Sequence, residues 1–156
     1  MIQKFLDLTS YNTDIRKSRR KTGIKTNEFF TPYELIKKMS DIIPDEDWSN
    51  PNKTFLEPCF GNGQFVLSII YRRLQSGIDL ITTLNTLYGI ELMQDNVIET
   101  KSRIYKLLDA LNVQYDINIV QPILDKNLVC SDFFYGILKN GNRIKIDNYV
   151  CEDNKL

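Results

Sequence analysis

Apolar residues along this chain of 156 residues follow two rhythms. The first is a short run: Thr54-Phe55-Leu56, then Leu87 to Leu92 with one acid near its end, then Leu128 to Cys130. Runs of this length suit strands buried on both faces, as in a parallel sheet. The second rhythm is helical spacing. Phe65, Val66, Ile69 and Ile70 predict a helix that ends near Gly77. Val97, Ile98, Ile104, Tyr105, Leu107, Leu108 and Leu111 predict a longer helix from about Asp95 to Leu111. Upstream, Leu35, Ile36, Met39, Ile42 and Ile43 share helical spacing, and Pro44 ends that helix. Thr31 is placed to cap it, Pro32 to take its first position, and Glu34 to complete a capping box. Strands alternating with helices make this an α/β chain.

The remaining segments are less marked. Residues 45–53, DEDWSNPNK, read as a polar loop. Residues 78–86 read as a short helix or connection. Within 112–126, the apolar residues Ile117, Ile119 and Val120 suggest another short strand.

Candidate chemistry gathers at Thr54 to Phe65, TFLEPCFGNGQF, where the first strand reaches its helix through Glu57-Pro58 and Gly61-Asn62-Gly63. A strand that breaks at glycines and feeds a helix is a phosphate or cofactor turn. Glycines let backbone approach a ligand closely, and the first turn of the helix offers free N–H groups. No Lys-Ser/Thr follows the second glycine, which argues against a P-loop, and the G-x-G-x-x-G fingerprint lacks its third glycine. An acid before G-x-G suits a cofactor with a positive group, and Glu57 stands where a cationic amino group would be held. Glu91 ends the second strand roughly thirty residues further on, where a carboxylate can accept hydrogen bonds from a ribose diol. The alternative for Glu91 is an exposed acid at a strand end.

Composition narrows the choice. The chain is 42% hydrophobic and 26% charged, as a single globular domain would be. Net formal charge is zero, so no global field favours nucleic acid or membrane. Charge is uneven, however: Arg16, Lys17, Arg19, Arg20 and Lys21 form a basic leader within residues 1–27. That leader reads either as a phosphate-contacting arm or as a solvated segment. The chain has no histidine, which removes Ser-His-Asp hydrolases and His-ligated metals. Its three cysteines show no C-x-x-C pairing, so neither a disulfide framework nor a metal site is expected. No apolar run is long enough to span a bilayer, and MIQKFLDLTSYN lacks a signal-peptide core. A cytoplasmic location is expected.

In these residues the chain resembles the S-adenosylmethionine-dependent amino-methyltransferases of DNA. Glu57-Pro58-Cys59-Phe60-Gly61-Asn62-Gly63 resembles their motif I, D/E-P-x-x-G-x-G. Phe29-Phe30-Thr31-Pro32 resembles motif X of the adenine-N6 enzymes, where the Thr and its neighbours contact the methionine end of the cofactor. Gly89-Ile90-Glu91-Leu92 resembles motif II, the ribose-binding acid. Ser131-Asp132-Phe133-Phe134 resembles motif III, whose Asp accepts from the adenine amino group while an apolar neighbour packs on the ring. Motif X lying first is the gamma order. The resemblance implies a Rossmann-like class I methyltransferase fold over residues 28–156, truncated after about the fourth strand, which is expected within Arg143–Val150. Strand order in that fold is 3-2-1-4-5-7-6. It implies S-adenosyl-L-methionine as cofactor, held by Phe30, Thr31, Glu57, Pro58, Gly61, Gly63, Glu91, Asp132 and Phe133. It also implies DNA as a partner.

The catalytic motif of that family, D/N/S-P-P-Y/F/W, is absent. Ile144-Lys145-Ile146-Asp147-Asn148-Tyr149 stands at the expected distance, with Asp147 and Tyr149 as remnant candidates, but it contains no proline. In the family this motif accepts from the target amino group and stacks on the extruded base. A sheet stopped after four strands leaves an open edge for a complementing subunit, for self-association or for the C-terminal tail. Two readings follow: a methyltransferase-like cofactor half that works with a partner, or a non-catalytic binding protein on the same scaffold. A methyltransferase acting on protein glutamine or a small molecule fits less well, because such relatives generally lack F-x-T-P.

Overall fold

A computed structural model of the chain describes residues 31–133 and 137–138. Helices α1 (Tyr33–Ser40) and α2 (Asp45–Ser49) lead into strand β1 (Phe55–Glu57). Then follow α3 (Gln64–Gln75), α4 (Leu80–Asn85), β2 (Leu87–Glu91), α5 (Gln94–Ala110), α6 (Ile117–Asn127), β3 (Leu128–Asp132) and β4 (Ile137–Leu138). The strands form one sheet in the order β1-β2-β3-β4. β1, β2 and β3 are parallel, and β4 returns antiparallel along β3. The chain is therefore mixed α/β around a small three-stranded parallel sheet.

Both parallel crossovers step the same way across the sheet. Right-handed connections then put α3 and α5 on one face. That face carries the main core: Phe55, Leu87 and Leu128 pack with Val66, Leu67 and Ile70 of α3 and with Ile104, Leu107 and Leu108 of α5. Val120 and Leu124 of α6 complete it. On the opposite face Tyr88 and Ile90 are buried with Val129 and Phe133 against them. The two long helices stop in the same manner. Gly77 and Asn112 take positive φ, and the next residues, Ile78 and Val113, donate back to Arg73 and Leu108. This closure satisfies the last carbonyls of each helix.

The N-terminal edge of the sheet is fixed by Arg73, whose side chain is fully buried. It donates to the carbonyls of Asp47, Trp48 and Asn50, the last at 2.6 Å, and to Thr86 Oγ1 at 3.1 Å. Its guanidinium lies 5.3 Å from the centre of the Phe55 ring, on which Trp48 stacks at 5.0 Å. Nearby, Asn127 donates to the carbonyl of Leu84 at 2.9 Å.

Three local expectations need correction. Residues 112–126 hold no strand. Asp116 caps α6 by accepting from the Asn118 N–H, and Val120, Leu124 and Asn127 form its buried stripe. Ile117 and Ile119 are more than half exposed, so the β-branched run is helix surface, and Pro122 is tolerated inside because burial of the stripe outweighs one lost hydrogen bond. At α1, Pro32 rather than Thr31 holds the cap position, without a side-chain cap, and the helix ends at Ser40 instead of running to Pro44. Only Ile36 of its apolar residues is buried; Leu35 and Met39 face outward, as does Ile42 beyond its end. Finally, the expected polar loop 45–53 contains α2, whose Trp48 is core. The strand expected within Arg143–Val150 lies outside the described residues, as does the leader 1–27.

Candidate functional site

The C-terminal edge of the parallel sheet gathers the candidate residues. Glu57 ends β1, Glu91 ends β2 and Asp132 ends β3. Glu57 pairs in register with Gly89, and Glu91 with Cys130. Alternation along each strand then puts all three acids on one side of the sheet, the side of α3 and α5.

From β1 the chain turns through Pro58 into the glycines. Gly61 and Gly63 have φ of +53° and +85°. Gly63 also abuts α5, because a Cβ there would lie 2.5 Å from Thr100 Cγ2. Conformation and space both require glycine at this position. The Thr100 hydroxyl donates to the Gly61 carbonyl at 3.3 Å. Phe60 folds back over β2. Its N–H donates to the Ile90 carbonyl at 3.2 Å, and its ring takes the space that a side chain on Gly89 would fill.

Glu91 lies directly under this turn and is 5% exposed, so it is not a surface acid. Its Oε2 accepts from the Gly61 N–H at 2.8 Å. Its Oε1 accepts from the Met93 N–H at 2.9 Å and from Asn96 Nδ2 at 3.3 Å. The carboxylate thus binds the end of β2 to the glycine turn and to the start of α5.

Glu57 is different. It is half-buried, and it accepts from the Cys59 N–H at 3.3 Å. No ion pair to it occurs among the described residues. Burial pushes its carboxyl above the ordinary carboxylate value, and the Cys59 bond only partly offsets this. Desolvation, then the Glu91 and Glu57 charges, push the Cys59 thiol up as well. Glu57 and Glu91 thus lie beside the turn on one flank, and the buried Arg103 guanidinium lies on the other, at Asn62 and Gln64.

Asp132 sits half-buried where β3 pairs with β4. Phe133 packs with Tyr88, Ile90 and Val129 on the far side of the sheet. Thr31 is drawn to the turn by its carbonyl, which accepts from Gln64 Nε2 at 3.3 Å. Gln64 in turn accepts from Arg103 Nη2 at 3.5 Å, and Arg103 also donates to the Asn62 carbonyl. The structure brings together Thr31, Pro58, Gly61, Gly63, Glu57 and Glu91; Asp132 lies farther along the same edge. Phe30, Asp147, Tyr149 and the basic cluster Arg16, Lys17, Arg19, Arg20 and Lys21 lie outside the described residues. Among the described residues no cluster of acids and cysteines is arranged to hold a metal ion.

Sequence reasoning missed the residues that support the turn. Asn96, Thr100 and Arg103 are all buried and form a polar stripe on α5, beside the apolar one. Their spacing of four and three residues is visible in the sequence and was the available signal. Asn62 was missed too. It is fully buried within the turn, and neither side-chain amide atom has a hydrogen-bond partner among the described residues. Against known proteins, the chain matches no protein-family model, no curated protein and no solved structure.

Proposed function

We propose that this chain binds S-adenosylmethionine at the glycine turn and acts as the cofactor half of a DNA adenine-N6 methyltransferase. One observation carries the reading. Glu57, at the end of β1 and directly before two positive-φ glycines, is a half-buried acid without a cation partner among the described residues. Such an acid suits a ligand that brings its own positive charge. The parallel order β3-β2-β1 supports the reading, since the first half of the methyltransferase fold uses it. So does the position, because open α/β sheets bind ligands beyond the C-terminal ends of their strands.

In this reading Glu57 holds the ammonium of the cofactor's amino-acid end. Glu91 accepts from the ribose diol and Asp132 from the adenine amino group. Gln64 and Arg103 hold the Thr31 segment beside the methionine end. The bound sulfonium supplies a methyl group with a good leaving group attached, so positioning is the protein's main task.

A second reading has its own support. The chain holds no proline after Pro122, so the P-P doublet that receives the target base is missing from it. Either a partner chain supplies that doublet or the protein is a non-catalytic binder. Two measurements separate these cases. Calorimetric titration with S-adenosylmethionine tests the site, and saturable binding is expected; no heat at millimolar cofactor overturns the reading. Transfer of labelled methyl to adenine in DNA tests activity. Transfer by the chain alone would overturn the need for a partner, and binding without transfer fits either reading of the missing motif.

A further inference from the structure

We infer that the glycine turn is a latch that competes with the ligand's diol for Glu91. The inference rests on the reading of Glu91 as the diol acceptor and adds how access to it is controlled. Glu91 is nearly inaccessible, at 5% exposure, and the turn itself covers it. The fastening nearest the ligand is the Gly61 N–H on Oε2 at 2.8 Å. Two more come from Phe60: its N–H on the Ile90 carbonyl, and its ring in the space left by Gly89. A carboxylate offers about four acceptor positions; Met93 and Asn96 take those of Oε1 and Gly61 takes one of the two on Oε2, so a diol that needs both positions of Oε2 must displace the Gly61 N–H. A ribose and the Gly61 N–H are therefore alternative donors to Oε2.

The latched turn also carries an internal cost. Asn62 is fully buried, and neither of its amide atoms has a partner among the described residues. An orphaned amide disfavours the arrangement that buries it. Opening the turn releases Gly61 from Oε2 and returns Asn62 to water or to a ligand. The tight fastenings and the orphaned amide oppose each other, which is the balance a ligand-driven switch requires. Met93 and Asn96 hold Oε1 throughout, so the carboxylate keeps its orientation when the turn leaves.

The test follows backbone amides of the ¹⁵N-labelled full chain by hydrogen exchange during titration with S-adenosylmethionine. Without cofactor the Gly61 amide should be strongly protected. At saturation its protection should fall about tenfold or more, while the Met93 amide keeps its own. Asn62→Ala removes the orphaned amide, favours the latched turn and should weaken cofactor binding several-fold without lowering the melting temperature. Binding that leaves Gly61 protection unchanged or raised overturns the latch and leaves the cofactor site standing. Absence of binding overturns the cofactor site and the latch with it. An Asn62→Ala variant that binds as well as the wild type, with normal Met93 protection, also overturns the latch.

Discussion

The two edges of the parallel sheet bury polar groups in opposite ways. At the N-terminal edge, Arg73 and Asn127 donate to carbonyls at the ends of α2 and α4 and to Thr86, and so fasten the segments that enter β1, β2 and β3. At the C-terminal edge, three acids end three neighbouring strands, Glu57 has no ion pair among the described residues, and Asn62 has no partner for its amide. At one edge the chain's own backbone meets most of the buried donors, leaving Arg73 Nε and Trp48 Nε1 without a partner among the described residues. The other leaves Glu57 without an ion pair and the Asn62 amide without a hydrogen bond among the described residues. The difference teaches where stability and binding reside, and substitutions at each edge should separate the two.

The largest effect is expected at the N-terminal edge. Arg73→Ala strips three carbonyls and Thr86 of a shared donor and removes packing from Phe55. It should cost about 3 kcal/mol or more, read as a lower urea midpoint. If the variant is folded, its affinity for S-adenosylmethionine should be nearly unchanged, since Arg73 lies at the opposite strand ends. A large affinity loss in a folded variant would erase the comparison.

Gly89→Ala should come next. Its Cβ would meet Phe60 Cδ1 at 2.6 Å and Leu128 Cδ2 at 2.8 Å. Overpacking of this kind costs about 1–3 kcal/mol. Because Phe60 is part of the turn, binding should weaken together with stability, unlike the Arg73 case. Equal effects on both properties at both edges would show that they are not separate.

Glu57→Gln should have the smallest effect on the fold and the clearest effect on binding. Loss of the ammonium partner should weaken the cofactor about tenfold, equivalent to about 1.4 kcal/mol. Its pH dependence has a definite sign. Burial raises the Glu57 carboxyl, so the folded state holds this proton more tightly than the unfolded chain does. Stability is therefore taken away as pH rises from the ordinary carboxylate value through the raised folded value. Cofactor binding runs the other way and should weaken as pH falls through that raised value. Titration at several pH values checks this, and the dependence should disappear in Glu57→Gln.

Much of this arrangement was legible in the sequence. The three apolar runs are the three parallel strands; the central one, β2, is buried on both faces and leaves no polar alternation to confuse it. Gly61 and Gly63 marked the turn, since positive φ is written in glycine. Glu57 and Glu91 were legible as strand-end acids. The rest depended on tertiary context. Ile117, Ile119 and Val120 resemble a strand locally, and only the burial of Val120, Leu124 and Asn127 makes them helix. The outward face of α1 could not be foreseen, because apolar spacing says which residues share a face and not what covers it. Glu91's hold on Gly61 and Arg103's hold on Asn62 join residues 30 and 41 positions apart. No local pattern encodes such pairs.

The central claim is that Glu57 sits at the binding edge, disfavoured within the fold and satisfied by a cationic ligand. Melting of wild type and Glu57→Gln near neutral pH, each with and without saturating S-adenosylmethionine, tests this most directly. The account predicts a crossing: the variant melts higher than the wild type alone, because burial disfavours the Glu57 carboxylate, and the wild type gains more when cofactor is added. Equal gains in both proteins, or no gain in either, would contradict it.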